Sequence, residues 1–95
     1  MSEPANYILA FYVPQSHLEA VLKAVFEAGA GTFKEYDRCA WTTPGKGRFR
    51  PLDNSDPFLG KRNEDSFADE IKVECLVAEK CISDVRTALI KAHPY

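Results

Sequence analysis

Two strand-and-helix units set 64 residues apart frame this 95-residue chain and leave few folds open to it. At that offset Val13 falls on Val77, Leu18 on Ile82, Val21 on Val85, Ala24 on Ala88, Val25 on Leu89, Phe26 on Ile90 and Ala28 on Ala92. Apolar spacing of this kind is common to strand–helix pairs, so the match speaks for shared geometry rather than for duplication. In the first unit, Tyr7 to Val13 is a continuous apolar and aromatic run that stops at Pro14. Its length suits a strand, and apolar residues at every position predict a central strand buried on both faces. Ser16 followed by Glu19 reads as a capping box. Leu18, Val21, Leu22, Val25 and Phe26 then form one stripe of an amphipathic helix that Gly29 ends. In the second unit Ile71, Val73, Cys75 and Val77 alternate with Lys72, Glu74 and Leu76, a period of two over the region Phe67–Val77. A helix from about Glu79 to Ala92 follows, with Ile82, Val85 and Leu89 as its stripe and Pro94 as its stop.

Between the units, the run Thr43-Pro44-Gly45-Lys46-Gly47 reads as a turn. It predicts a long β-hairpin with arms at about Asp37–Thr43 and Gly47–Leu52. Asp53 to Ser66 is a polar connection with Phe58-Leu59 as a hydrophobic peg, a length often given to function or assembly. Strand, helix, hairpin, strand and helix make an α+β chain with five of the six elements of a ferredoxin-like split β-α-β fold. The expectation is one domain over residues 1–95, its final strand missing and one sheet edge open for pairing.

Twelve basic against fourteen acidic residues give a net charge of −2 and a pI near 5.6. Tyr36 and Trp41 near Arg38, Lys46 and Arg48 invite a single-stranded nucleic-acid reading. The overall charge and the cluster Glu64, Asp65, Asp69 and Glu70 oppose it, because such affinity rests on clustered Lys and Arg. No apolar run is long enough to span a membrane, and Met1–Asn6 lacks the features of a signal peptide. Cys39, Cys75 and Cys81 are odd in number and form no CxxC pair, which suits reduced thiols and a cytoplasmic location.

The predicted turn is the best candidate site. Gly45 and Gly47 bare backbone N–H groups, Thr43 adds a hydroxyl, and Lys46, Arg48 and Arg50 supply charge for a small anion. The spacing is not that of a P-loop, and a solvated turn or a subunit contact is the plainer reading. Alternation puts Phe49 opposite Arg48 and Arg50, in the core or an interface. His93 and Tyr95 are the second candidate. His93 serves either as a base or ligand, or as a helix-ending residue bonded to terminal carbonyls. His17 reads as a surface residue. Cys39 lacks a nearby base, so no catalytic residue, cofactor or metal is expected. A metal-binding or enzyme-accessory protein using His93 and Cys39 is the alternative.

A family resemblance adds to this. It rests on Val13-Pro14 with Leu18-Glu19-Ala20-Val21, Ala28-Gly29-Ala30-Gly31, Tyr36-Asp37 with Cys39, and Thr43-Pro44-Gly45. It continues through Gly47-Arg48-Phe49-Arg50-Pro51, Pro57 and Gly60 to Ala92-His93-Pro94-Tyr95. Its most specific parts are Gly-x-Gly-Arg-Phe-x-Pro and the closing His-Pro-Tyr. Over nearly its whole length the chain resembles the domain inserted in longer members of the YqfO/YbgI family, the dinuclear-metal GTP cyclohydrolase I type 2 homologues. The resemblance implies a ferredoxin-like fold of the PII and CutA kind and a homo-oligomer, trimer before dimer, with a small anionic ligand at a subunit cleft. The implied role is a non-enzymatic regulatory or interaction module. The family's two-metal site lies in flanking domains and does not carry over. Arg38 stands where the family commonly has His, and the family continues past His-Pro-Tyr with acidic residues and a last strand.

Overall fold

The computed structural model describes residues 6–55 and 60–94. Strand β1 (Asn6–Val13) leads into helix α1 (Leu18–Glu27), and strands β2 (Trp41–Phe49) and β3 (Ser66–Ala78) lead into helix α2 (Ile82–Ala92). Short 3-10 turns at Gln15–His17 and Glu79–Cys81 precede the helices. Both the turns and the helix starts repeat at the 64-residue offset read from the sequence. The sheet order is β1-β3-β2, antiparallel at both joints, with Asn6 opposite Ala78 and Val13 opposite Ile71 on one side of β3. On its other side Trp41 faces Glu74 and Phe49 faces Ser66.

The apolar residues explain the layers. Leu9, Phe11 and Val13 share a face with Ile71, Val73, Cys75 and Val77, and α1 and α2 cover it. Val13, Val21, Val25, Val73 and Val85 are essentially fully buried there. The helix stripe read from the sequence holds: Leu18, Val21, Leu22 and Val25 are buried, and Phe26 packs against them. At the end of α1 the Gly29 N–H donates to the Phe26 carbonyl and the Ala30 N–H to that of Val25, a Schellman closure with Gly29 at φ +116°. The start of α1 differs from expectation. Ser16 makes no cap; its hydroxyl meets His17 Nδ1, and the 3-10 turn feeds directly into the helix. His93 leaves α2 in extended geometry, as the following Pro94 requires.

Two strand expectations are corrected. The first is the position of β1. Among the described residues β1 pairs only with β3, so β3 is the central strand and β1 an edge. Tyr7, Ile8 and Tyr12 are accordingly exposed. An unbroken apolar run cannot by itself distinguish burial on two faces from burial on one plus an association surface. The second is the hairpin. Thr43 to Gly47 is not a turn but the middle of the single strand β2, whose hairpin partner is β3 across the connection 50–65. Pro44 is tolerated because β2 is an edge strand. Gly47 is a close-approach residue: a Cβ there would collide with the Glu70 carboxylate lying across it.

Beyond Val13 the sheet narrows to a two-stranded ribbon, Gly45–Phe49 against Ser66–Glu70, and the molecule measures 52 × 24 × 20 Å. The Phe58-Leu59 peg lies outside the described residues. Among the described residues no helix is long and apolar enough to cross a membrane.

Burial also sets thiol chemistry. Cys75 sits on the covered face at 4% exposure, and desolvation pushes its thiol above the ordinary value of 9.0. Cys39 and Cys81 are half-buried. In the native protein iodoacetamide is therefore expected to modify Cys39 and Cys81 well before Cys75, as read by mass spectrometry of tryptic peptides. The unfolded chain loses the Cys75 proton first, so stability falls as pH climbs past 9.0. Equal labelling rates for all three thiols contradict this placement.

Candidate functional site

Register decides which candidate residues meet. Residues directly opposite each other share a sheet face. Trp41, Thr43, Gly45 and Gly47 therefore lie with Glu74, Lys72, Glu70 and Ala68 on the face away from the helices, where Ile8, Ala10 and Tyr12 of β1 join them. A shallow depression of about 410 Å³ opens on this face, lined by Tyr12, Thr43 to Gly47, Glu70, Lys72 and Glu74. Gly45 is its open floor, with nothing within 4 Å of the missing Cβ.

The structure thus brings Thr43, Gly45 and Gly47 of the predicted site to one face, on a strand rather than a turn; Lys46 borders the depression, but its register partner Asp69 lies on the other face. It does not bring the arginines with them. Arg48 alternates to the other face, bonded to Asp65 at 3.0 Å and stacked 5.5 Å from the Phe67 ring centroid. Arg50 follows the end of β2. The sequence reading missed Tyr12, Glu70, Lys72 and Glu74. The period-two pattern of β3 was the signal for the last two, which point away from its apolar face.

Charge on both faces of β2 and β3 is paired, Lys46 on the helix side and Lys72 in the depression. Lys46 lies 3.8 Å from Asp69, and Lys72 lies 3.7 Å from Glu74. All four side chains are substantially exposed, so each pair contributes little to stability. Above the depression the face turns apolar: Trp41 is 69% exposed, Ile8 63% and Tyr12 55%. The Trp41 indole N–H donates to Thr43 Oγ1 at 2.8 Å, which fixes the ring beside the depression.

His93 is elsewhere. Its Nε2 meets the Tyr12 carbonyl at 2.5 Å, and its ring stands edge-on to Phe11 at 6.5 Å. A carbonyl only accepts, so Nε2 carries a proton, and His93 ties the end of α2 to β1 on the helical side of the sheet. Its backbone N–H also donates to the Leu89 carbonyl of its own helix at 2.9 Å, so His93 closes α2 as expected and adds the bond to β1. Tyr95 lies outside the described residues.

Cys39 is remote from His93. It follows the α1–β2 loop, where its N–H donates to the Gly31 carbonyl and the Gly31 N–H donates to the Leu76 carbonyl. Leu76 faces Ile8, whereas His93 reaches Tyr12, four residues or about 13 Å further along β1. Among the described residues no three His, Cys, Asp or Glu side chains converge as a metal site.

Comparison with known proteins places this geometry. No family model matches the chain. It is 40% identical over 87 residues to the GTP cyclohydrolase 1 type 2 homolog of Bacillus subtilis, covering 92% of this chain and 23% of that protein. The protein of the same name from Halalkalibacterium halodurans is 38% identical over 89 residues, with 94% and 24% covered. A crystal structure of a Bacillus cereus protein related to NIF3 superposes with a TM-score of 0.82 at 27% identity, over 98% of this chain and 24% of that one. The chain spans about a quarter of the length of these relatives. Along nearly all of its own length, then, the chain is homologous to a quarter-length segment of the GTP cyclohydrolase 1 type 2 homologues, the YqfO and NIF3-related proteins.

Proposed function

We propose that the chain is a non-enzymatic, cytoplasmic module that self-associates through its uncovered sheet face and binds a small anion beside that contact. In this reading the fold is ferredoxin-like, of the PII and CutA kind. The order β1-β3-β2, with the helix-linked strands β1 and β2 on either side of β3, supports it. The observation that carries the proposal is the face itself. Trp41, Tyr12 and Ile8 are large, exposed and on one side of one sheet, together with Ala10 and Leu76. A contiguous apolar patch rimmed by charge is the usual mark of an association surface. A trimer is the assembly the family resemblance favours, and each copy then sets its depression next to a neighbour.

The anion binds by exchange. It takes Lys72 from Glu74 and approaches the backbone over Gly45. Weak, exposed ion pairs make that exchange cheap.

Thermal denaturation at several protein concentrations, with and without inorganic phosphate or ATP, tests both halves. Association makes the melting temperature rise with protein concentration, and a bound anion raises it further. The second increment is expected to vanish in Lys72→Ala. A melting temperature indifferent to concentration and to both anions overturns the proposal.

A further inference from the structure

A second cleft lies on the opposite layer of the molecule, between α1 and the α1–β2 loop. It encloses about 520 Å³ and is lined by Glu19, Leu22, Lys23, Phe26, Glu27, Ala30, Thr32, Asp37 and Arg38. That volume is in the range of small-molecule sites. Its floor is apolar, formed by Leu22, Phe26 and Ala30, of which Leu22 and Ala30 are buried. Its rim carries three carboxylates and two cations, all exposed. On the β2–β3 ribbon, Lys46 and Arg48 each hold a carboxylate. Around the cleft, none of the side chains of Glu19, Lys23, Glu27, Asp37 and Arg38 makes an ion pair or hydrogen bond among the described residues.

The loop wall is preset. The Gly31 N–H is bonded to Leu76 at 2.8 Å, and the Cys39 N–H to Gly31 at 2.9 Å. Arg38 is held at φ +55°, a left-handed conformation costly for a residue with a Cβ. Arg38 lines the loop wall of the cleft, and the Glu19-Lys23-Glu27 face of α1 lines the other.

We propose that this cleft binds a free hydrophobic amino acid. Both signs of charge on the rim match a zwitterion: the carboxylate goes to Arg38 and Lys23, the ammonium group to Asp37 and the α1 glutamates. Its apolar side chain lies on Leu22 and Phe26. A simple anion meets three carboxylates here, and a simple amine meets two cations, so each loses what the zwitterion gains. The site is separate from the sheet face and does not depend on self-association.

Titration of the labelled full chain with L-phenylalanine, followed by amide NMR, tests it. Saturable shifts are expected at residues 19–38, with 3-phenylpropionate and phenethylamine each binding about tenfold or more weakly. Arg38→Gly keeps the left-handed backbone without strain, so it folds, and it is expected to weaken L-phenylalanine about tenfold. Lys23→Glu, on an exposed helix position, is expected to act in the same direction. The proposal is overturned by any of three results: no saturable shift, equal binding of all three compounds, or unchanged affinity in both variants.

Discussion

Gly31→Ala is expected to lower folding stability by about 2–4 kcal/mol, a large share of what a small domain has. Gly31 stands at φ +81°, where an L side chain costs about 1–2 kcal/mol. An added Cβ would also lie 2.9 Å from the Cys39 carbonyl oxygen and 3.0 Å from both the Cys39 nitrogen and Phe26 Cε1. Two of those neighbours are backbone, so relief requires the loop to move, at about 1–3 kcal/mol for an overpacked site. Movement pulls the Gly31 N–H from the Leu76 carbonyl, where it continues the edge of β3 beyond the end of β2. Gly45→Ala is the matched contrast. No atom lies within 4 Å of its Cβ position and its φ is ordinary for a strand, so alanine there is expected to add about 0.5–1 kcal/mol. Urea midpoints of the two variants provide the check. Equal effects contradict the described packing of the α1–β2 loop.

Trp41→Glu is expected to dissociate the proposed assembly while leaving the subunit folded. Trp41 is 69% exposed and touches none of the buried core, so the fold does not need it. Buried tryptophans at interface centres are worth about 2 kcal/mol or more, roughly thirtyfold in affinity. The new carboxylate also faces Glu74 directly across the ladder, and like charges placed opposite each other repel. Ile8→Lys, on the same face but on β1, is expected to act alike. Sedimentation velocity together with circular dichroism separates the outcomes. Monomer with a native spectrum is the expected result, and an unchanged assembly in both variants removes the sheet face from the interface.

Much of this architecture was legible in the residues, for identifiable reasons. The period of 3.6 in Leu18 to Phe26 and the period of two in Ile71 to Val77 each follow from one apolar face on one element. Gly29 and Pro94 act through local backbone restrictions that no distant contact overrides. The misreadings occurred where tertiary pairing decides. Thr43-Pro44-Gly45-Lys46-Gly47 has the composition of a turn, but β3 offers it a full ladder. Tyr7 to Val13 looked central because its outward residues are as apolar as its inward ones. That same apolarity, at an edge, is the basis for the proposed self-association. The candidate site was legible only in part. Thr43, Gly45, Lys46 and Gly47 are consecutive enough to be noticed, whereas Tyr12, Glu70 and Lys72 reach them through strand register. His93 was noticed, but its bond to Tyr12, 81 positions away, has no local signal.

Light scattering on the wild-type chain across a dilution series measures the central claim directly. A mass that is a multiple of the 10.7 kDa subunit, about 32 kDa for three copies, is the expected result. A constant 10.7 kDa at every concentration, with Trp41, Tyr12 and Ile8 still exposed, contradicts the proposed self-association.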